Sequence, residues 1–183
     1  MRFLPTRLEG AFVVELEPHE DARGGFARLW DGALFADRGL EPTLAQASLS
    51  WSPEAGTLRG LHFQVPPYEE AKLVRCLRGA IFDVIVDLRS GSPSYLQWEG
   101  FELTLGNRRG LYIPKGFAHG FQTLGDDSEI LYFISTPYAP TAASGLRWDD
   151  KALGIKWPAE PRLMSERDRS WPDFGGTSPF AFR

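Results

Sequence analysis

The sequence predicts an all-β domain built as a sandwich or a barrel, and two observations lead to that prediction. Short runs rich in Val, Ile, Phe, Trp and Tyr alternate with Gly, Pro, Asn and Asp, the punctuation of strands and turns. These runs recur at roughly ten-residue spacing, the rhythm of antiparallel sandwiches and barrels. With 183 residues, of which 43% are hydrophobic and 24% charged, we expect one globular domain spanning residues 1–183.

The individual strands follow from where apolar runs begin and where turn residues end them. Ala80–Leu88 is a nearly continuous apolar run that a Ser-Gly-Ser-Pro loop ends. In the run Trp98–Leu105, alternation predicts that Phe101, Leu103 and Leu105 share one face. The other predicted strands are Leu73–Leu77, Leu111–Pro114, Ala118–Leu124 and Glu129–Ser135.

Two further segments complete the predicted organisation. A short helix is predicted at Asp31–Arg38, which carries apolar residues at Leu34, Phe35 and Ala36. The stretch from Pro158 onward contains several prolines and little periodicity, so we expect it to wrap over the barrel.

Charge and composition exclude several classes of partner. A net charge of −4 and a pI of about 5.4 argue against a nucleic-acid-coating surface, although a locally basic pocket for a small anion is compatible with them. No stretch approaches the about 18 apolar residues of a membrane span, and no cleavable signal begins the chain, so we expect a soluble cytoplasmic protein. The single cysteine, Cys76, cannot form an intrachain disulfide and is expected to be a buried apolar residue.

Two segments are the first candidates for chemistry: Leu58–Gln64, which contains His62, and Pro114–Gln122, which contains His119. Each histidine lies in an apolar stretch punctuated by glycine, with a cation three or four residues upstream. Imidazole titrates near neutral pH, so an apolar site can hold it as an acid or a base. The pattern indicates proton chemistry on an anionic ligand, with a packed core histidine as the alternative at each position.

Strand alternation assigns a direction to the first histidine. His62 shares its face with Gly60 and Gln64, and Leu61 and Phe63 point to the opposite side. His62 would therefore look into a cavity if that face lines the interior of a barrel.

Three more polar side chains could complete such a site. Lys72 could neutralise an oxyanion if it points inward, and would otherwise be a solvated charge at a strand end. Arg59 suits bidentate contact with phosphate. Tyr132 shares a strand face with Ile130 and Ile134, where its hydroxyl needs a partner if it points inward and where a core tyrosine is the alternative.

No metal or other cofactor is predicted. The position two after His62 is Gln64, and the sequence contains no His-x-His pair. Two widely separated histidines without a paired ligand make a poor transition-metal site. The sequence also lacks a P-loop, a Gly-x-Gly-x-x-Gly fingerprint and a Gly-x-Ser-x-Gly elbow.

Taken together, the motifs resemble one family, the dTDP-4-dehydrorhamnose 3,5-epimerases. The resemblance runs through nearly the whole chain, and its two histidine segments, about 57 residues apart, are specific as a set. It implies a cupin-like jelly-roll barrel with short peripheral helices, no cofactor, a nucleotide-sugar substrate and a homodimer. The segments that carry it are Asp21–Phe26, Gly56–Gln64, Ala71–Arg75, Arg78–Arg89, Tyr112–Phe121, Gly145–Asp150, Leu153–Pro158 and Ser165–Asp168.

Carried over by position, the resemblance implies inversion at C3 and C5 of dTDP-4-keto-6-deoxy-D-glucose, giving dTDP-4-keto-L-rhamnose. His62 would be the base beside the C4 ketone, and Asp168 would orient it. Tyr132 would be the acid on the opposite face, and Lys72 would stabilise the C4 enolate. The substrate contacts implied are Arg59 and Arg167 to the diphosphate, Arg23 from a partner subunit, Tyr138 on the base, His119 near the enolate, and Gln46, Ser48 and Arg28 in the nucleotide region.

Three departures from the family pattern lie in the nucleotide region. Gln46-Ala47-Ser48 stands where Gln-x-Asn is common, Arg28 where many members have glutamate, and Ala143 where some have glutamate. The sequence therefore leaves open a mono-epimerase acting at C3 or C5 on a related dTDP-, CDP- or GDP-linked 4-ketosugar. It also leaves open a sugar-nucleotide-binding cupin without catalysis and a metal-dependent cupin.

Overall fold

Two antiparallel sheets face each other in a computed structural model that describes residues 1–181. The last two residues of the predicted domain, Phe182 and Arg183, lie outside the described residues. One sheet has six strands in the order β1 (Arg2–Pro5), β2 (Phe12–Glu15), β11 (Gly110–Ile113), β7 (Lys72–Arg78), β13 (Ser128–Ile134) and β5 (Gln46–Ser52). The other has five, in the order β10 (Trp98–Thr104), β8 (Ala80–Asp87), β12 (Phe117–Thr123), β6 (Leu58–Gln64) and β14 (Ala143–Gly145).

Smaller elements decorate this pair of sheets. They are the hairpin β3 (His19–Asp21) and β4 (Gly24–Phe26), the parallel pair β9 (Arg89–Ser90) and β15 (Phe180–Ala181), and the helices α1 (Gly32–Ala36) and α2 (Glu166–Arg169). The architecture is the all-β jelly-roll barrel with short peripheral helices that the family resemblance implied. Among residues 1–181, no helix is both long enough and apolar enough to cross a membrane.

Three apolar clusters hold the layers together. The cluster between the sheets joins Val74, Cys76 and Ile130 of the six-stranded sheet to Ile85 and Phe121 of the five-stranded sheet. Cys76 is buried, as predicted, and this burial raises the pKa of its thiol to about 11. The second cluster packs the C-terminal segment on the outside of the five-stranded sheet, and the third packs α1 on the outside of the six-stranded sheet.

Most predicted strands begin and end within a residue or two of the observed ones, and two details of the prediction change. The helix is shorter than predicted at both ends. Asp31 is its N-cap and accepts hydrogen bonds from the N–H groups of Ala33 and Leu34, and after Ala36 the chain turns, with the N–H groups of Arg38 and Gly39 donating to carbonyls three residues back. The third residue of the predicted apolar face, Leu105, is exposed, because β10 ends at Thr104 and the chain turns there.

The segment after Pro158 lies against the barrel, as predicted. The N–H of Leu58 donates to the carbonyl of Leu163 at 2.9 Å, and Phe180 packs in the outer cluster of the five-stranded sheet. The sequence did not predict that this segment also forms α2. That short helix carries Asp168 to the open end of the barrel.

Candidate active site

A cavity of about 700 Å³ opens between the two sheets beyond their apolar cluster. Most of the predicted site residues line it, although they come from distant parts of the chain. Those residues are Gln46, Ser48, Arg59, His62, Lys72, His119, Tyr132, Tyr138, Arg167 and Asp168. His62 and Gln64 line the cavity, as predicted, and Leu61 packs in the cluster outside the five-stranded sheet. Phe63, predicted to point away, packs in that cluster but also lines part of the cavity.

The two histidine segments form neighbouring antiparallel strands, β6 and β12, in which His62 pairs directly with His119. These strands come unusually close where two glycines meet. A Cβ on Gly60 would lie 2.5 Å from the Cα of Gly120, and a Cβ on Gly120 would lie 2.8 Å from the carbonyl oxygen of Arg59. The crossing therefore requires glycine on both strands, and it places both imidazoles on the same wall of the cavity.

Asp168 orients the His62 ring. Its Oδ1 lies 2.6 Å from Nε2 of His62, and the N–H of Gly60 approaches Oδ2 at 3.4 Å. When the carboxyl is ionised, Nε2 carries the proton and Nδ1 has the free lone pair. The carboxyl is buried whereas the imidazole is about half exposed, with 43% of its side-chain surface accessible.

The chain fixes Asp168 locally. Ser165 is the N-cap of α2, and its hydroxyl accepts a hydrogen bond from the N–H of Asp168 at 3.1 Å. Burial alone would raise the pKa of Asp168. The hydrogen bond and charge of His62, followed by the N–H of Gly60, outweigh burial and lower that pKa below its ordinary value. The carboxylate is thus ionised at neutral pH.

Tyr132 stands on the opposite wall, on β13 of the six-stranded sheet. Burial raises the pKa of its phenol well above the ordinary value of 10, and the negative charge of Asp83 adds to the rise. The positive charge of Arg59 acts in the opposite direction on this pKa but is outweighed. Tyr132 is therefore a protonated hydroxyl at neutral pH.

His119 is tied to a carboxylate that sequence reasoning missed. Its Nε2 lies 2.7 Å from Oδ1 of Asp83 on the neighbouring strand β8, and both side chains are buried. Oδ2 of Asp83 has no hydrogen-bond partner within residues 1–181. The His119 ring also meets the Tyr132 ring edge to face, with 6.2 Å between centroids. The signal in the sequence was an acidic residue in the middle of the apolar strand β8, with apolar neighbours on both sides.

Lys72 points inward at the start of β7 and forms an ion pair with Glu70. Its Nζ lies 2.8 Å from Oε1 of Glu70, which also lines the cavity and was not among the predicted residues. An inward-facing ammonium on the wall that carries Tyr132 can stabilise an oxyanion formed between the walls.

Two arginines stand at the mouth of the cavity. The guanidinium of Arg59 donates to the carbonyl of Trp51 at 3.1 Å and approaches Ser52 Oγ at 3.4 Å. Arg167 stacks over the ring of Trp171, 5.0 Å from its centroid, and that ring meets His62 edge to face. Both cations suit a phosphate-bearing ligand.

The nucleotide-region residues have their own positioning contacts. Gln46 Oε1 accepts a hydrogen bond from the N–H of Tyr138 at 2.8 Å, and Gln64 Oε1 accepts one from the N–H of Ala139 at 2.6 Å. These two amides hold the loop that presents the exposed ring of Tyr138 to the cavity. Ser48 lies beside Gln46 on the edge strand β5.

Two predicted substrate contacts do not line the cavity of a single chain. Arg23 lies at the exposed tip of the β3–β4 hairpin, where it pairs with Asp21 at 2.6 Å. Arg28 pairs with Asp31 at the start of α1. Among residues 1–181, no group of three or more His, Cys, Asp or Glu side chains is arranged to hold a metal ion.

An oriented imidazole facing a protonated phenol across a barrel can remove a proton from one side of a carbon and return one from the other. The fold and site thus define a cupin-like acid–base isomerase. A sequence profile of the dTDP-4-dehydrorhamnose 3,5-epimerase family matches residues 5–175, and the chain belongs to that family.

Individual relatives agree with this assignment. The chain is 45% identical over 173 residues to the dTDP-4-dehydrorhamnose 3,5-epimerase of Methanothermobacter thermautotrophicus, covering 93% of this chain and 92% of that protein. It is 41% identical over 170 residues to a dTDP-4-dehydrorhamnose 3-epimerase of Streptomyces niveus, covering 92% and 82%.

Solved structures of epimerases are also similar to this chain over most of its length. The 3,5-epimerase of Bacillus anthracis, with TDP and pyrophosphate bound, superposes with a TM-score of 0.90 at 39% identity over 94% of this chain and 99% of that one. A 3'-monoepimerase of Streptomyces bikiniensis, in complex with dTDP-quinovose, gives a TM-score of 0.85 at 34% identity over 92% and 86%.

Proposed function

We propose that this isomerase inverts C3 and C5 of dTDP-4-keto-6-deoxy-D-glucose, giving dTDP-4-keto-L-rhamnose. The observation that carries the proposal is the placement of His62, oriented by Asp168, and Tyr132 on opposite walls of one cavity. Inversion needs two groups, because a single residue would return the proton to the face from which it came.

The reaction proceeds through an enolate at each carbon. Nδ1 of His62 accepts the proton, and the C–H electron pair moves into the C4 carbonyl to give an enolate oxygen. The Lys72 ammonium donates a hydrogen bond to that oxygen and stabilises its charge. Tyr132 then donates its hydroxyl proton to the other face of the carbon, C4=O re-forms, and solvent exchange restores both groups to their starting protonation states.

The binding residues suit a nucleoside diphosphate. Arg59 and Arg167 meet the diphosphate, the Tyr138 ring stacks on the base, and Gln46 and Ser48 line the nucleotide end of the cavity. His119 lies near the reacting centre, beside Tyr132. The nucleotides bound to the structurally similar epimerases support this class of ligand.

A second candidate is a mono-epimerase that inverts a single carbon. Relatives named as 3-epimerase and 3'-monoepimerase match this chain nearly as well as those named as 3,5-epimerases. The same base and acid would serve either reaction, so the stereochemistry of the product separates the two.

Two large apolar side chains are exposed in a single chain and could be covered by a second copy of it. Trp51 on the edge strand β5 and Phe26 on the β3–β4 hairpin are 68% and 72% exposed, which is unusual for large apolar side chains. We therefore propose a homodimer in which the hairpin carries Arg23 to the neighbouring cavity.

The test is incubation with dTDP-4-keto-6-deoxyglucose in D2O, followed by NMR of the sugar. Deuterium at both C3 and C5, with an L-configured product, is expected. Label at one carbon supports the mono-epimerase, and no label contradicts both. His62→Asn should abolish the exchange while leaving dTDP binding and the melting temperature close to wild type.

A further inference from the structure

The proposed reaction uses Lys72 but assigns nothing to the carboxylate beside it. Nζ of Lys72 and Oε1 of Glu70 are 2.8 Å apart, and their side chains are only 10% and 13% exposed. Lysine and glutamate are seldom buried to this extent unless they are paired. Both members of this pair line the cavity itself.

The backbone under the pair is fixed on both sides. The N–H of Ala71 donates to Ser135 Oγ at 2.8 Å, and the N–H of Ser135 donates back to the carbonyl of Ala71 at 3.0 Å. The Thr136 hydroxyl donates to the carbonyl of Glu69 at 2.8 Å. Ala71 packs in the cluster on the outside of the six-stranded sheet. Because side chains alternate along an extended chain, its neighbours Glu70 and Lys72 both face the cavity.

We infer that Glu70 is a positioning residue, which holds the Lys72 ammonium where it can meet the C4 oxygen of the bound sugar. The inference rests on the proposed role of Lys72 in enolate stabilisation. An ammonium has three protons on a flexible four-carbon chain. The ion pair uses one of them and leaves two for the substrate, so the donor is ordered before the enolate forms.

The first test is the kinetics of C–H exchange in Glu70→Ala and Glu70→Gln. We expect kcat of Glu70→Ala to fall by about 10- to 100-fold, since misplacing one catalytic donor has effects of this size. KM and the affinity for dTDP should stay close to wild type, and Glu70→Gln, which keeps a hydrogen-bond acceptor, should lose less. A change confined to KM would overturn the inference.

A double-mutant cycle with Lys72→Met separates positioning from an independent role. If Glu70 acts through Lys72, Glu70→Ala should cause little further loss in the Lys72→Met background. Equal losses in both backgrounds would contradict the inference. The matched control is Glu41→Gln, which removes the Lys115–Glu41 pair (2.6 Å) outside this cavity and should leave the exchange rate unchanged.

A readout without substrate keeps this test separate from the proposed function. The chain has four lysines, so NMR of the lysine ammonium groups in 15N-labelled protein is tractable. We expect a protected Lys72 signal in the wild type that Glu70→Ala removes, while the Lys115 signal responds to Glu41→Gln. An unchanged Lys72 signal overturns the positioning role, whereas a wild type without exchange activity overturns the proposed reaction.

Discussion

Asp168 decides which nitrogen of His62 can accept a proton. An amide at this position can donate a hydrogen bond to Nε2, which favours the tautomer with the proton on Nδ1 and removes the basic lone pair. We expect Asp168→Asn to lower kcat for deuterium exchange by about 10²- to 10⁴-fold, the usual weight of a positioned general base. The matched control is Asp149→Asn, on a surface carboxylate paired with Arg147, which should exchange at the wild-type rate.

The pH dependence at the acid end has a defined sign. Because the folded-state pKa of Asp168 is lowered, its contribution to stability is present above the unfolded pKa and is lost as pH falls through the folded value. Urea unfolding of wild type and Asp168→Asn at pH 3 and pH 7 checks this. The stability difference between them should be larger at pH 7, and a larger difference at pH 3 would contradict the assignment.

At alkaline pH, the titrating group of interest is the phenol of Tyr132. Burial first, then the charge of Asp83, raises its pKa above the ordinary value of 10, so the phenol keeps its proton where a solvated tyrosine would lose it. We expect no loss of kcat attributable to Tyr132 between pH 8 and pH 10. A titration of ultraviolet absorbance at 295 nm, comparing wild type with Tyr132→Phe, should show no phenolate from this residue below pH 10.

At the scale of elements, the site depends on how closely β6 and β12 approach. A Cβ at Gly120 would meet the Arg59 carbonyl oxygen at 2.8 Å and the Gly60 Cα at 3.1 Å, and these backbone atoms of β6 cannot move without separating the strands. We expect Gly120→Ala to destabilise the protein by about 1–3 kcal/mol and to lower activity, since overpacking has costs of this order. Gly106→Ala, in a surface turn with its nearest neighbour at 3.7 Å, should change neither measurement.

The direction of a side chain within a strand could be predicted from the sequence, whereas contacts between distant segments could not. Alternation placed His62 correctly, because a strand between two apolar layers has only two directions for a side chain. Asp83 escaped notice, because its partner His119 is 36 residues away and becomes adjacent only through strand pairing. The four-residue helix α2 has too few residues to show any periodicity, so only the family resemblance pointed to Asp168.

At the level of the assembly, we expect the protein to be a dimer in solution. Light scattering should give twice the 20.5 kDa mass of the chain, and Trp51→Asp should shift the protein toward the monomer. Substitutions on an exposed strand that is not an interface would leave the mass unchanged.

Sharing of Arg23 between subunits has its own signature. Co-expressed Arg23→Ala and His62→Asn chains would form some heterodimers with one intact composite site, although each variant alone is impaired. We expect about a quarter of wild-type activity from a statistical mixture, as two-fold symmetry dictates. Activity no higher than the mean of the two separate variants would place Arg23 in the cavity of its own chain or in neither.

Tyr132→Phe in D2O shows whether the proton leaves from one face of the sugar carbon and arrives on the other. The variant keeps His62 and Asp168, so it should still exchange substrate hydrogens for deuterium. Without the opposing acid, the deuterium should enter with retention of configuration, and the L-sugar should not accumulate. Inversion at the wild-type rate in Tyr132→Phe would show that Tyr132 is not the acid on the opposite face.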